Sequence, residues 1–413
     1  MDVRQARRRY LVVLALRWFP VGLWIPITIL LPMDRGLSLA EAGLAASLQG
    51  FVVLALELPT GGLADSWGRR PTLIVAASVA VVSMSLLTMA ETFAAFAVVY
   101  VLQGVYRALD SGPLESWYVD AALAADPSVR LERGLSAGGT VVGLAIAAGA
   151  LATSGIVTWV QLPGVPTLVQ PILLGLVVQL AGLAAIVVLV REPPHPDGRR
   201  TLLTSLRGVP AVIVGGVGVV RRSRVLRALL AVELCWGFGM VTFEQLMPVR
   251  LAELTGGPDE AAEITGPAAA AAWLASAGGA AMIPLLSARL GVARTAMLLR
   301  ILHGITVLGM GLFAGVAGVL TGYLATYLVH GASDPVHMTL LHREVEGRHR
   351  STVMSISSMM GQPAGSLGLI VLTALASGTS VSTAMVVGAV VLALAAPLYL
   401  PAMRAERRQL VSV

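Results

Sequence analysis

The chain has 413 residues, 56% of them hydrophobic and only 13% charged. A soluble domain of this length would carry about 25% charged residues, so the composition excludes a soluble enzyme and leaves a membrane protein. The net charge of +6 comes from 29 basic residues, all arginine; it is read as loop charge that sets membrane orientation, with no nucleic-acid partner.

The N-terminus is short and basic, and no small-residue cleavage site follows the first apolar run, so that run is read as a retained first helix. A spanning helix needs about 20 apolar residues. Twelve runs qualify in order: Tyr10 to Pro32, Leu39 to Leu63, Pro71 to Met89, Phe93 to Val119, Leu135 to Val157 and Leu168 to Val190, then Val225 to Pro248, Pro267 to Leu286, Thr295 to Phe313, Val316 to Leu341, Thr352 to Leu375 and Ala384 to Ala402. The apolar stretch Val209 to Val220 is too short to span and is read as an interfacial segment. The reading is an all-α membrane protein of twelve transmembrane helices in two pseudo-symmetric six-helix bundles, residues 1–192 and 225–413, joined by a cytoplasmic linker over 193–224.

Alternating the connections across the bilayer puts 24 arginines on one side and only Arg35 and Arg250 on the other. That asymmetry predicts cytoplasmic termini. The use of arginine without lysine points to a GC-rich prokaryotic genome, hence a prokaryotic cytoplasmic membrane. Cys235 is the sole cysteine, so no intrachain disulfide is possible.

Charges inside a span are costly and need a reason. The first run carries Arg17 and the second Glu57; the fourth carries Arg107, Asp110 and Glu115. The seventh has Glu233 and Glu244, the ninth Arg300 and His303, and the tenth His330, Asp334 and His337. Arg107 and Asp110 stand three apart on one helix face, so they are expected either to neutralise each other or to act as a coupled pair. Arg17 and Arg300 can snorkel toward an interface. The histidines suit packing and hydrogen bonding, or proton coupling. Glu115 reads as solvated. Asp110 and Asp334 each adjoin a proline, where an irregular helix would free carbonyls. Asp110 is expected to stay charged against Arg107, and Asp334 to take up a proton more readily. Trp236, Phe238, Phe243, Tyr323 and Tyr327 could form an apolar substrate wall, or serve packing. Gly134 to Gly138, Gly139 to Gly143 and Gly361 to Gly365 are small-residue spacings read as packing between the halves.

The segment between the second and third runs reads Gly61-Gly62-Leu63-Ala64-Asp65-Ser66-Trp67-Gly68-Arg69-Arg70, with Leu73 three positions on. This resembles the cytoplasmic loop between the second and third helices of major facilitator superfamily transporters, with Ser66 the one departure. Glu57-Leu58-Pro59-Thr60-Gly61 is similar to a Glu-x-Pro-Thr-Gly segment of bacterial members. Drug–proton antiporters of this type carry Arg-x-x-Gln-Gly on the fourth helix; here Tyr100 to Gly104 puts tyrosine at the arginine position, and the fifth helix lacks their Gly-Pro pair. Internal repetition agrees: Gly68 matches Gly291 at an offset of 223, while Asp110 matches Asp334 and Asp120 matches Glu344 at 224.

The resemblance implies alternating access with a substrate site near mid-membrane, lined by the first, fourth, seventh and tenth helices. Nine of the twelve intramembrane polar residues fall there. The resemblance also implies a cytoplasmic gate of Gly61, Leu63, Asp65, Gly68, Arg69 and Arg70 with Asp120. Glu344 and Arg350 are its expected partners in the second half, with Ser351 or Thr352 capping the eleventh helix. The expected function is proton-coupled efflux of small amphipathic compounds by a monomer in the lipid bilayer, without cofactor or metal. Alternatives are a metabolite importer or facilitator, and a non-transporting receptor on the same scaffold. No phosphate loop or metal-ligand cluster is present, so no enzyme is expected.

Overall fold

The structure is a computed structural model that describes residues 1–192, 218, 220–344 and 350–411. The side chains of residues 58, 61–66, 132, 350–355, 358 and 409–411 are outside the description. So is most of the expected linker with its Val209 to Val220 segment. Among the described residues there are helices and no strands.

The helices in chain order are α1 (Val3–Trp24), α2 (Leu30–Asp34), α3 (Leu39–Trp67), α4 (Arg69–Met89), α5 (Phe93–Asp110), α6 (Pro113–Ala125), α7 (Leu131–Trp159) and α8 (Gln170–Leu189). They continue as α9 (Arg224–Glu244), α10 (Leu246–Thr255), α11 (Pro258–Leu290), α12 (Val292–Leu312), α13 (Gly315–Arg343), α14 (Arg350–Gly378), α15 (Val381–Leu394) and α16 (Leu400–Val411). Among the described residues eleven stretches are long and apolar enough to cross a membrane. The 29-residue α13 stands outside those eleven because Tyr323, Tyr327, His330, Asp334 and His337 dilute its apolar content. It occupies the tenth expected span and brings the number to twelve.

These helices present apolar residues outward. The most apolar window, in Thr167–Leu189, has only 28% of its residues buried. Val177 and Val188 on α8 are over 60% exposed. A soluble helix would bury that face; a membrane helix turns it to lipid.

Several spans break where the sequence removes a hydrogen-bond donor. α5 and α6 are parted at Ser111 and Gly112, with Gly112 at φ +92° and Pro113 opening α6. α9 gives way to α10 at Gln245. Ile25–Ile27 and Ala396–Tyr399 are 3-10 turns, each with a proline in its first positions. α13 runs unbroken through Pro335, which corrects the expectation of an irregular helix beside Asp334.

The chain divides into two compact units. The first holds Met1–Leu37, Leu48–Val209 and Ala262–Ala270; the second holds Ser38–Ser47, Pro210–Ala261 and Ala271–Val413. In the first, α1 packs on α7 and α8, and α4 on α5 and α8. Its core includes Tyr10, Leu73, Trp117, Tyr118 and Ile186, with the Tyr10 and Tyr118 rings stacked at 4.6 Å. In the second, α9 packs on α14, and α12 on α13 and α15, around Leu229, Val232, Leu299, Val336 and Tyr399.

Close helix approach depends on glycine, and the contacts lie inside each unit. A Cβ on Gly22 would lie 2.2 Å from the Ile146 carbonyl oxygen, and one on Gly134 1.8 Å from Tyr118 Oη. In the second unit a Cβ on Gly237 would lie 2.5 Å from the Gly361 carbonyl oxygen. The small-residue spacings therefore bring helices together within a unit. Gly139 and Gly143 face open space.

Candidate functional site

In the first unit the polar residues converge where the fourth span breaks. Asp110 is the last residue of α5, and its carboxylate pairs with the Arg17 guanidinium from α1. Arg17 Nη2 also donates to the Asp110 carbonyl oxygen at 3.2 Å. Tyr106, one turn before Asp110, adjoins both side chains. Asp110 is 5% exposed, and its partner lies on another helix. Arg107, three residues back, points outward and is exposed. The expected Arg107–Asp110 pair is thus replaced by Arg17–Asp110. The physical reason is that α5 ends at Asp110, and the turned backbone aims its carboxylate at α1. Arg17 reaches inward and does not snorkel.

Glu57 of α3 stands within electrostatic reach of Arg107, and its Oε2 is buried without a hydrogen-bond partner. Three residues on, Thr60 Oγ1 donates to the Ala108 carbonyl at 2.9 Å, joining α3 to the end of α5. Glu115, in the first turn of α6, is exposed.

The second unit holds a longer polar chain. His337 of α13 places Nε2 2.9 Å from Glu233 Oε1 of α9 and Nδ1 2.8 Å from Tyr399 Oη. Tyr399 in turn lies within electrostatic reach of Arg300 of α12, whose Nε and Nη1 are buried without a hydrogen-bond partner. His337 and Tyr399 are each 1% exposed and Arg300 3%. Arg300, buried in the core, does not snorkel either. Asp334, one turn from His337, is exposed; it stands at electrostatic range of Glu233, His337 and Arg300 and has no ion-pair partner among the described residues.

Beside this chain lies an aromatic cluster. Trp236 and His330 stack at 5.8 Å, and Phe243 contacts His303, Tyr327 and His330 at 5.4 to 5.7 Å. Tyr323 meets Tyr327 edge-on at 4.9 Å. The Tyr327 hydroxyl donates to Glu244 Oε1 at 2.5 Å. Glu244 is the last residue of α9, so in each unit an acid closes a helix at a break. His303 is fully buried with neither ring nitrogen hydrogen-bonded.

The gate residues divide. Arg69 pairs with Asp120, as expected. Arg70 does not join them; its Nη2 donates to the Val187 carbonyl at 2.8 Å. Gly61, Leu63 and Asp65 lie on the last turns of α3, and their side chains are outside the described residues, as is that of Arg350. α14 begins at Arg350, which places Ser351 and Thr352 in its first turn and not at the cap. Glu344 ends α13 and accepts from Ser223 Oγ at 3.5 Å.

Two acids escaped the sequence reading. Glu192 Oε2 accepts the Arg70 backbone N–H at 3.0 Å, so it caps α4. Glu406 does the same for α12, accepting from Val292 and Ala293 at 3.2 Å, and it also pairs with Arg343. Each carboxylate meets the positive end of a helix. Each cap sits beside a glycine of positive φ, Gly68 at +98° and Gly291 at +83°. A Cβ on Gly68 would lie 2.9 Å from Glu192 Oε2, so the glycine makes room for the cap. The matched glycines were the only sequence signal for these sites.

The Major Facilitator Superfamily profile matches residues 11–330. No curated protein matches the chain. Among solved structures, the nucleoside transporter NupG aligns over 95% of this chain and 98% of its own, with a TM-score of 0.77 and 13% identity. A bacterial homologue of the human lysosomal transporter Spinster aligns over 96% of both chains, with a TM-score of 0.75 and 15% identity. A bacterial homologue of the human drug peptide transporters PepT1 and PepT2 covers 99% of this chain and 100% of its own, at 0.71 and 12%. At such identities the structures share a fold, whereas the profile spans most of the sequence: the chain belongs to the Major Facilitator Superfamily.

Proposed function

We propose that this transporter couples proton movement to the efflux of small amphipathic compounds across a prokaryotic cytoplasmic membrane, acting as a monomer with both termini in the cytoplasm. The observation that carries this reading is a protonatable cluster inside each unit: Arg17, Tyr106 and Asp110 in the first, and Glu233, His337, Tyr399 and Asp334 in the second. A facilitator of neutral solutes has no need of such costly groups. Asp334, which has no paired cation among the described residues, is the better candidate for reversible protonation; Asp110 is held by Arg17. The aromatic cluster around Phe243, Tyr327 and His330 supports an amphipathic substrate with an aromatic or aliphatic body. The structurally similar transporters carry nucleosides or peptides, or are homologous to a lysosomal transporter; they favour small polar-apolar solutes without choosing a direction.

The test is transport in proteoliposomes with an imposed pH gradient, run for Asp334→Asn and Asp110→Asn against a panel of cationic and neutral compounds. One variant is expected to lose gradient-driven accumulation while keeping exchange at zero gradient. If both variants still concentrate substrate, coupling through these residues is wrong.

A further inference from the structure

At the start of α9, where it meets α16, the second unit has a surface groove of about 480 Å³. Three arginines line it: Arg224 and Arg227, one turn apart on α9, and Arg404 on α16. The rest of its lining is apolar, including Ala231, Leu398 and Pro401, and no carboxylate lines it. All three arginines are exposed, and none has an acid within ion-pair distance among the described residues. Arg69 and Arg343, by contrast, are paired with Asp120 and Glu406.

A second groove of about 280 Å³ shares Arg227 and Ala231. Apart from Arg221 and Arg227 its lining is apolar, with Leu230, Leu234, Ile356 and Met360. The two grooves therefore join a cationic slot to an apolar one that runs along α9. Arg227 and Leu234 are seven residues apart, roughly 10 Å along the helix axis. That is comparable to the step from lipid phosphate into the upper acyl region, since each polar layer of a bilayer is about 5–8 Å thick. Cationic pockets between helix ends at the membrane surface suit anionic headgroups.

We propose that these grooves form a site for an anionic phospholipid. Arg224, Arg227 and Arg404 hold its phosphate, and one acyl chain lies along Leu230 and Leu234. Three guanidiniums with no acid partner among the described residues favour a headgroup with two phosphates over one with a single phosphate. Assigning the lipid to the cytoplasmic leaflet rests on the arginine asymmetry of the loops; the binding itself does not.

The experiment is lipid binding to the purified full chain in neutral detergent, read by native mass spectrometry with cardiolipin, phosphatidylglycerol and phosphatidylcholine. Cardiolipin should bind tightest and phosphatidylcholine least. Replacing Arg224, Arg227 and Arg404 together by Gln should weaken cardiolipin about 100-fold, and each single replacement about fivefold. The single variants carry the test if the triple does not purify folded. A control triple, Arg4→Gln with Arg7→Gln and Arg8→Gln, removes equal charge from exposed arginines outside the grooves and should stay within about threefold. Equal loss in both triples would reduce the effect to general charge and overturn the site. Unchanged binding in the groove variants would overturn it too. Full displacement by inorganic phosphate or glycerol 3-phosphate would assign the arginines to a soluble anion and overturn the lipid.

Discussion

Breaking the Arg17–Asp110 pair on one side should cost far more than removing it whole. The two side chains are only 16% and 7% exposed, so both charges have left water and depend on each other. Removing one partner of a buried pair costs about 3–5 kcal/mol because the other charge is stranded. Tyr106 beside the pair gives the survivor a remaining polar neighbour. The lower end therefore applies, and Asp110→Asn or Arg17→Met should each cost about 3 kcal/mol. The double variant Arg17→Met with Asp110→Leu strands no charge and should cost only about 1 kcal/mol, chiefly the lost partners of Tyr106. Denaturant titration in mixed micelles, followed by helicity, measures this double-mutant cycle. Additive single effects, or single effects below about 1 kcal/mol, would refute the buried pair. Transport separates structure from mechanism: the double variant should regain stability and, with Asp334 intact, still couple a pH gradient.

Glu192→Ala and Glu406→Ala each remove a helix cap and should each lower stability by about 1–2 kcal/mol, read in the same titration; an unchanged midpoint would argue against the caps. Gly134→Ala forces a methyl against Tyr118 and should cost roughly 1–3 kcal/mol, whereas Gly139→Ala faces open space and should be neutral or stabilising by up to about 1 kcal/mol. Similar melting temperatures for the two glycine variants would contradict that packing. Arg69→Gln and Asp120→Asn should slow turnover while substrate affinity stays within about threefold, a change under ~1 kcal/mol. A large affinity loss with normal turnover would assign the pair to substrate binding and not to gating.

Most of the architecture was legible because a bilayer leaves little choice. Backbone groups in hydrocarbon must bond within their own segment, so runs of apolar residues become helices. Their spacing, the loop arginines and the motif from Gly61 to Arg70 were enough to place twelve spans and to suggest the family. Even α13, too polar to pass an apolarity threshold, was found from its length and position. The partners of the polar residues were another matter. Sequence spacing pairs Arg107 with Asp110, because neighbours on one helix are all that spacing can see. The tertiary structure gives Asp110 to Arg17, which is 93 residues away, because Gly112 and Pro113 end α5 there and turn the carboxylate toward α1. Likewise Glu233, His337 and Tyr399 lie on separate elements and meet only when α9, α13 and the Ala396–Tyr399 turn are packed together. Glu192 and Glu406 read as loop and tail acids until folding brings each to the start of a helix more than 100 residues earlier in the chain. The sequence by itself determined which residues must be in the membrane, since the free energy of transferring each segment is local. Which buried charges neutralise one another was decided by tertiary structure alone, because ion pairing depends on distances that only packing sets.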